Sequence, residues 1–200
     1  MKKIKVAITG GIGAGKSLVT NYLGKNGYPI ISADDLAKNL MQTNPSLKKK
    51  IIDEFGSKAY DGDVLNKKFL AVEVFSDQEK VEKINSIIHP VVIRKIEEEC
   101  KKSFKDHDIV FIESALVFEA KIRKIFNYII LVTADEDTRI KRIMLRDDVT
   151  EEEVRARMQF QMDDEKKIQL SDFVFHNTGT LMQLEDKCKF VLHILKSLTA

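Results

Sequence analysis

The run AITGGIGAGKS, Ala7 to Ser17, constrains the fold of this chain more than any other stretch. Gly10 is followed, after four residues, by Gly15-Lys16-Ser17, the spacing G-x-x-x-x-G-K-[ST] of a phosphate-binding loop. The flanks supply the context that this motif requires. Ile4, Val6 and Ile8 alternate with Lys5, Ala7 and Thr9 in a strand period, and Leu18, Val19, Tyr22 and Leu23 follow at helical spacing. Strand, glycine loop and helix thus follow one another in the order the chemistry needs. Glycine lets the backbone turn its N–H groups inward, and the helix N-terminus adds its dipole, so the loop favours an anion. Nucleotide phosphates are the expected ligand of Gly11, Ile12, Gly13, Ala14, Gly15, Lys16 and Ser17. Lys16 is placed to reach the β- and γ-phosphates, and the Ser17 hydroxyl to ligate Mg²⁺.

The rest of the chain has to build a sheet around that loop. Strand-like runs recur at Ile4–Thr9, Tyr28–Ser32, Ile109–Glu113, Tyr128–Thr133 and Phe173–Phe175, separated by helical patterns. Alternating strands and helices predict an α/β fold, a three-layer α/β/α arrangement of the P-loop NTPase type with a mostly parallel sheet. A length of 200 residues suits one such domain with inserted subdomains.

Spacing between the strands is uneven. From residue 35 to about 107 the chain reads as mostly helical. Leu36, Leu40, Leu47, Ile51, Ile52 and Phe55 share a helical stripe, and Ser76-Asp77-Gln78-Glu79 reads as a capping box before Val81, Ile84, Ile87 and Ile88. This stretch is too long for a plain crossover helix and is expected to be an insertion that holds a second substrate. Residues 146 to 171 form another irregular region, opened by the capping box Thr150–Glu153. They carry many charges and few core-facing residues beyond Val154, Met158, Phe160 and Met162. A lid that excludes water from phosphoryl transfer is expected there. The core is then about 1–34, 108–145 and 172–200.

Composition narrows the classes of function. Hydrophobic residues make up 44% and charged residues 32%, with a net charge of +2, so there is no general case for nucleic-acid or membrane binding. The basic start MKKIKVAITGG is followed by too short an apolar run for a signal peptide, and no stretch approaches a membrane span. Cys100 and Cys188 are far apart and lack metal-ligand spacing, so reduced thiols and a cytoplasmic location are expected. A monomer is expected, with an oligomer as the alternative.

Three groups of residues could carry chemistry. Asp34, in ISADD, follows the second strand-like run, at the sheet edge where open parallel sheets bind ligands. It could take a proton from an attacking hydroxyl or help place the metal, or Asp34 or Asp35 could simply cap a helix starting at Leu36. Glu113 ends DIVFIE, where an acid can hold a metal through water. Arg139, Arg142 and Arg146 share a helix face. Arg139 has Asp135 four residues before it, as for a surface pair. Arg142 and Arg146 have no such acid, and a triphosphate between them would offset their repulsion. Arg155 and Arg157 have Glu151 and Glu153 at i−4. His89, before Pro90, reads as a structural residue, and the four histidines show no zinc spacing.

Taken in order, these pieces resemble the dephospho-CoA kinase family over nearly the whole chain. ITGGIGAGKS is similar to the family's LTGGIGSGKS, and Ser32-Ala33-Asp34 to its DAD. VFSDQEKVEKINSIIHPVV, IESALVFEA, RIKRIMLRDDVTEEEVRARMQFQM and SDFVFHNTGTLMQLE resemble further family segments. Ser32 stands where the family has aspartate, Ala115 where it has proline and Ser171 where it has alanine. The resemblance implies transfer of a phosphate from ATP to the ribose 3′-hydroxyl of dephospho-CoA. It implies Asp34 as base, Arg146 at the ATP phosphates, Asn177 near the adenine and Arg157 as a lid arginine. Thr9, His89, Glu113 and Leu116 would join Asp34 and Arg157 on the acceptor side, with Asp34 or Glu113 assisting Ser17 at Mg²⁺, directly or through water. Another P-loop kinase, for a nucleoside or nucleoside monophosphate, would share the core. A GTPase switch lacks its N-K-x-D motif, since Asn66-Lys67-Lys68-Phe69 has no aspartate. A non-catalytic nucleotide-binding module is disfavoured by Lys16, Ser17 and Asp34.

Overall fold

The computed structural model describes residues 2–74 and 77–199. The chain divides into two compact units, Met1–Ser32 with Cys100–Ala200, and Ala33–Glu99.

The first unit is built on five parallel strands: β1 (Ile4–Thr9), β2 (Ile30–Ser32), β5 (Ile109–Glu113), β6 (Tyr128–Thr133) and β7 (Phe173–His176). Their order across the sheet is β2-β5-β1-β6-β7, with β1 in register with both neighbours: Val6 faces Phe111 on one side and Tyr128 on the other. The central strands read as continuous apolar runs because both faces are covered. On one face Ile4, Val6, Ile8, Phe111, Ile130 and Val132 pack with Val19 and Leu23 of α1 (Lys16–Lys25) and with Leu184, Cys188, Val191 and Leu195 of α9 (Leu181–Ser197). On the other, Ala7, Thr9, Val110, Ile112, Ile129 and Leu131 are fully buried. Burial pushes the Cys188 thiol up to about 12, so it stays protonated in its apolar layer. Thr180 and Gln183 close a capping box at the start of α9.

The five sheet strands therefore lie where the periodicity places them, with small shifts in bounds. No helix directly follows β5. Residues 115–121 form turns, in which Ala120 N–H donates to Leu116 O at 2.8 Å, before a short 3-10 helix at Arg123–Ile125. Ala115 is thus a turn residue, and the Leu116 N–H is satisfied by the Ser114 hydroxyl at 3.3 Å.

The irregular stretch after α6 (Glu136–Asp147) belongs to the first unit. It contains α7 (Glu151–Met158) and α8 (Asp164–Gln169). Thr150 and Glu153 form the expected capping box. Ile140, Ile143 and Val154 make a small separate core, with Ile12, Met144, Val149 and Met158 around it. One charged residue is deeper than its neighbours suggest: Lys167 is fully buried, 2.9 Å from Glu119.

The second unit is not wholly helical. It holds α2 (Ala33–Thr43), α3 (Pro45–Phe55), α4 (Lys67–Val74) and most of α5 (Gln78–Ser103), but also a hairpin of β3 (Tyr60–Asp61) and β4 (Val64–Leu65). Its turn, Gly62-Asp63, gives Gly62 a φ of 58°. The stripe from Leu36 to Phe55 is split into two helices at Asn44-Pro45, where Asn44 accepts from Leu47 N–H at 3.0 Å and Pro45 takes the first helical position. Ser76, the expected cap of α5, lies outside the described residues. Asp77 accepts from Glu79 N–H at 2.9 Å.

Candidate active site

The phosphate loop leaves β1 at Gly10 and enters α1 at Lys16. Gly15 stands at the helix N-cap with φ 96°, in the left-handed region, and a side chain there would overlap the Asn177 amide. That amide donates to Ala14 O at 2.9 Å, while Asn177 N–H donates to Thr133 O at 2.7 Å and Asn177 O accepts from Arg142 at 3.0 Å. Arg142 also approaches Gly13 O at 3.4 Å. Asn177, expected beside the adenine, thus has its buried side chain turned to the loop backbone. Arg142 is likewise tied to backbone oxygens. Its charge also acts on the Asp135 carboxylate, helping to hold that group's pKa down.

Arg139 departs from the sequence reading. It is 9% exposed, and its guanidinium lies against Gly11, in the space that a side chain at 11 would need. Its nearest acid is Asp164 of α8, at 3.5 Å, and not Asp135. Asp135 instead caps α6, accepting from Thr138 N–H at 3.0 Å, and the Thr138 hydroxyl, then its N–H, holds the Asp135 carboxyl below the usual range. Asp164 also accepts from the Thr133 hydroxyl at 2.7 Å. The i−4 rule sees only a helix's own neighbours, and Asp164 comes from another helix.

At the mouth of the loop, Lys16 donates to Gly10 O at 2.9 Å and reaches Gly11 O at 3.4 Å. Ile12 N–H donates to Gln161 at 2.9 Å. Ser17 is exposed in the first turn of α1. The Thr20 hydroxyl lies 3.2 Å from Ser17 O and 3.3 Å from Glu113 Oε2, which brings the Glu113 carboxylate to the same end of the sheet as Ser17. A hydroxyl and a carboxylate are the hard oxygen donors that Mg²⁺ prefers. Among the described residues no group of three or more His, Cys, Asp or Glu is clustered as a metal site, so nucleotide oxygens and water would complete the shell. Thr9 is fully buried at the end of β1, its hydroxyl without a hydrogen-bond partner among the described residues.

A second charged group sits at the other end of α6. Arg146 makes two bonds to Asp147, at 2.7 and 3.0 Å, and Arg157 of α7 makes a third at 3.2 Å. The Arg146 hydrogen bonds, then its charge and that of Arg157, hold the Asp147 carboxyl below its usual range. Both guanidiniums are open to solvent, with side chains 65% and 47% exposed. Of the i−4 pairs, Arg155 takes Glu151 at 2.8 Å and also Glu136, whereas Glu153 serves the capping box and leaves Arg157 to Asp147. Asp148, in the left-handed region at φ 53°, ends α6 and starts the turn that brings α7 back.

In the second unit, α2 begins at Ala33, not Leu36, so Asp34 and Asp35 lie in its first turn, where acids favour the helix dipole. Asp34 is exposed, and Asp35 pairs with Lys38 at 3.2 Å. His89 is half-buried on α5, and burial pushes its pKa down, favouring the neutral ring.

Sequence reasoning therefore found the loop and the arginine row but missed Arg139, Asp147, Gln161 and Asp164 as partners. No helix among the described residues is long and apolar enough to cross a membrane.

Comparison with known proteins identifies the family. A family profile described as dephospho-CoA kinase matches residues 4–183. The dephospho-CoA kinase of Lactobacillus acidophilus is 34% identical over 194 residues, 96% of each chain, and that of Salinibacter ruber is 38% identical over 91% of this chain and 92% of its own. Among solved structures, TT1252 from Thermus thermophilus superposes with a TM-score of 0.84 at 34% identity, covering 98% of this chain and 99% of its own. Dephospho-CoA kinase from Campylobacter jejuni gives 0.71 at 26% identity, covering 98% of both. Shikimate kinase from Acinetobacter baumannii, at 12% identity and a TM-score of 0.55, shares the fold.

Proposed function

The chain belongs to the dephospho-CoA kinase family, and on that premise we propose how its residues divide the work of ATP-dependent phosphorylation of dephospho-CoA to CoA and ADP. The observation that carries the reading is the phosphate loop itself, formed, glycine-lined and clamped at Gly13, Ala14 and Gly15, within a match that spans residues 4–183.

The backbone N–H groups of 13–17 hold the phosphates at the start of α1. Lys16 exchanges its loop carbonyls for the β- and γ-phosphates, and Arg146, which is open to solvent, meets the charge that develops on the transferring group. Ser17, with Asp34 or Glu113 directly or through water, would hold Mg²⁺. When bound, the ion would offset negative charge on the phosphates during transfer. Asp34 accepts the proton of the acceptor's ribose 3′-hydroxyl as that oxygen bonds to the γ-phosphorus and the bond from phosphorus to the β,γ-bridging oxygen breaks, releasing ADP. His89 is assigned to the binding of dephospho-CoA. Arg157, linked to Arg146 through Asp147, lets α7 respond to the phosphates and exclude water. Thr9 and Leu116 line the acceptor side.

The test is ADP release with Mg·ATP, with and without dephospho-CoA, for the native chain and Asp34→Asn, with mass spectrometry locating the new phosphate. Acceptor-dependent turnover, a 3′-phosphate product and a loss of about 10²-fold or more in Asp34→Asn support the reading. Turnover only with a nucleoside or nucleotide rejects the acceptor. Full activity in Asp34→Asn rejects the base.

A further inference from the structure

The segment after α7 reaches the phosphate loop through one side chain. Gln161 Oε1 accepts from Ile12 N–H at 2.9 Å, across 149 positions of sequence. The same oxygen lies 3.4 Å from where a Cβ on Gly11 would stand, so carboxamide and loop are in close contact. The loop's N–H groups are its working surface, and Gln161 gives one of them a side-chain oxygen, as Gly11 O gives Ala14 N–H a backbone one at 3.2 Å.

Gln161 does not reach the loop by chance of rotamer. Met162 N–H, the next residue, donates to Glu119 Oε1 at 2.8 Å. The same Glu119 oxygen pairs with the fully buried Lys167 at 2.9 Å. Asp164, between them, is bound to the Thr133 hydroxyl and faces Arg139, whose guanidinium packs on Gly11. Residues 161–167 are thus fastened at three points to the turn after β5, to the end of β6 and to α6. A buried ion pair of this kind adds little net stability, but it fixes where its backbone runs. What it fixes here is the approach of Gln161 to Ile12.

We infer that Gln161 is a positioning residue for phosphoryl transfer. It holds Ile12 N–H away from the nucleotide and sets the shape of the loop tip, so that the remaining N–H groups and Lys16 meet the phosphates in register. An unmet N–H at a half-buried site would otherwise turn toward water or toward the wrong oxygen. The inference deepens the kinase reading and rests on it for the activity measurements alone.

The test uses the full chain and two variants. Gln161→Met keeps the length and packing of the side chain but removes the acceptor. Gln161→Glu keeps an acceptor for Ile12 N–H but adds a charge beside the phosphates. Amide exchange at Ile12, ATP affinity without acceptor, and kcat and KM for both substrates are measured, with Tm as the control on folding. In the native chain Ile12 N–H is protected. In Gln161→Met protection is lost and KM for ATP rises about ten-fold, while KM for dephospho-CoA stays within two-fold and Tm is unchanged. In Gln161→Glu protection is kept while ATP affinity falls. The inference is overturned by free exchange of Ile12 in the native chain, by unchanged ATP constants in Gln161→Met, or by losses that follow Tm alone and recover on cooling. If the native chain fails to phosphorylate dephospho-CoA, the functional reading falls, and amide protection with ATP affinity still decides the role of Gln161.

Discussion

Arg139 and Arg142 lie on the same helix as Arg146, yet the two ends of α6 treat a guanidinium in opposite ways. At the first end the charges are buried or half-buried and tied to the phosphate loop, Arg142 to carbonyl oxygens and Arg139 against Gly11. At the other end Arg146 is open to solvent, and its bond partner is the next residue, Asp147, itself shared with Arg157. A hydrogen bond to a buried carbonyl is costly to leave and holds shape. An exposed ion pair contributes little, and its partners exchange readily. The same residue type at i, i+3 and i+7 thus meets two environments, scaffold near β6 and, on the proposed reading, charge offered to the substrate near α7.

That contrast can be broken most sharply at Arg146. Arg146→Ala should lower kcat by about 10³-fold or more, with Tm within about 2 °C of the native chain. Steady-state kinetics beside a melting curve checks it, and an intact rate or a large drop in Tm would place Arg146 with the scaffold. Arg142→Leu should do the reverse, removing about 1–3 kcal/mol of stability by leaving the Asn177 and Gly13 carbonyls unmet. Denaturant unfolding measures this, and a variant as stable as the native chain would move Arg142 to the substrate group. The smallest effect belongs to Asp147. Its folded pKa is depressed, first by the Arg146 hydrogen bonds, so its contribution is present above the unfolded carboxyl value near 4 and is lost only as pH falls through the lower folded value. The Tm difference between native chain and Asp147→Asn should therefore be small and constant from pH 7 to 5. A difference that shrinks over that range would show that another group governs the pair.

The division was only half legible in the sequence. The loop could be read because its function is written in consecutive residues, Gly10 to Ser17, and the strands because their alternation is local. Arg139 could not, since its surroundings are Gly11 and Asp164, far away in the chain. Lys167 sits among Asp, Glu, Lys and Gln that face water, and nothing in that neighbourhood marks it as the buried one. The hairpin at Tyr60–Leu65 carried a legible signal, Asp61-Gly62, masked by the helical stripes on either side. The break at Asn44-Pro45 was equally visible as a cap followed by a first-turn proline. Gln161 had no local signature, because a glutamine that meets a backbone N–H looks in sequence like any polar surface residue.

The strand order has a consequence for how the chain is made. β1 is synthesised first, but both of its neighbours, β5 and β6, lie beyond residue 108. The phosphate loop and its strand must therefore leave the ribosome and wait, unpaired, while the whole of Ala33–Glu99 is translated. That intervening unit is built from near-neighbour contacts and can close on itself during the delay, whereas the parallel sheet must await its distant partners. The loop's clasp arrives later still, since Asn177, whose amide donates to Ala14 O, follows β7.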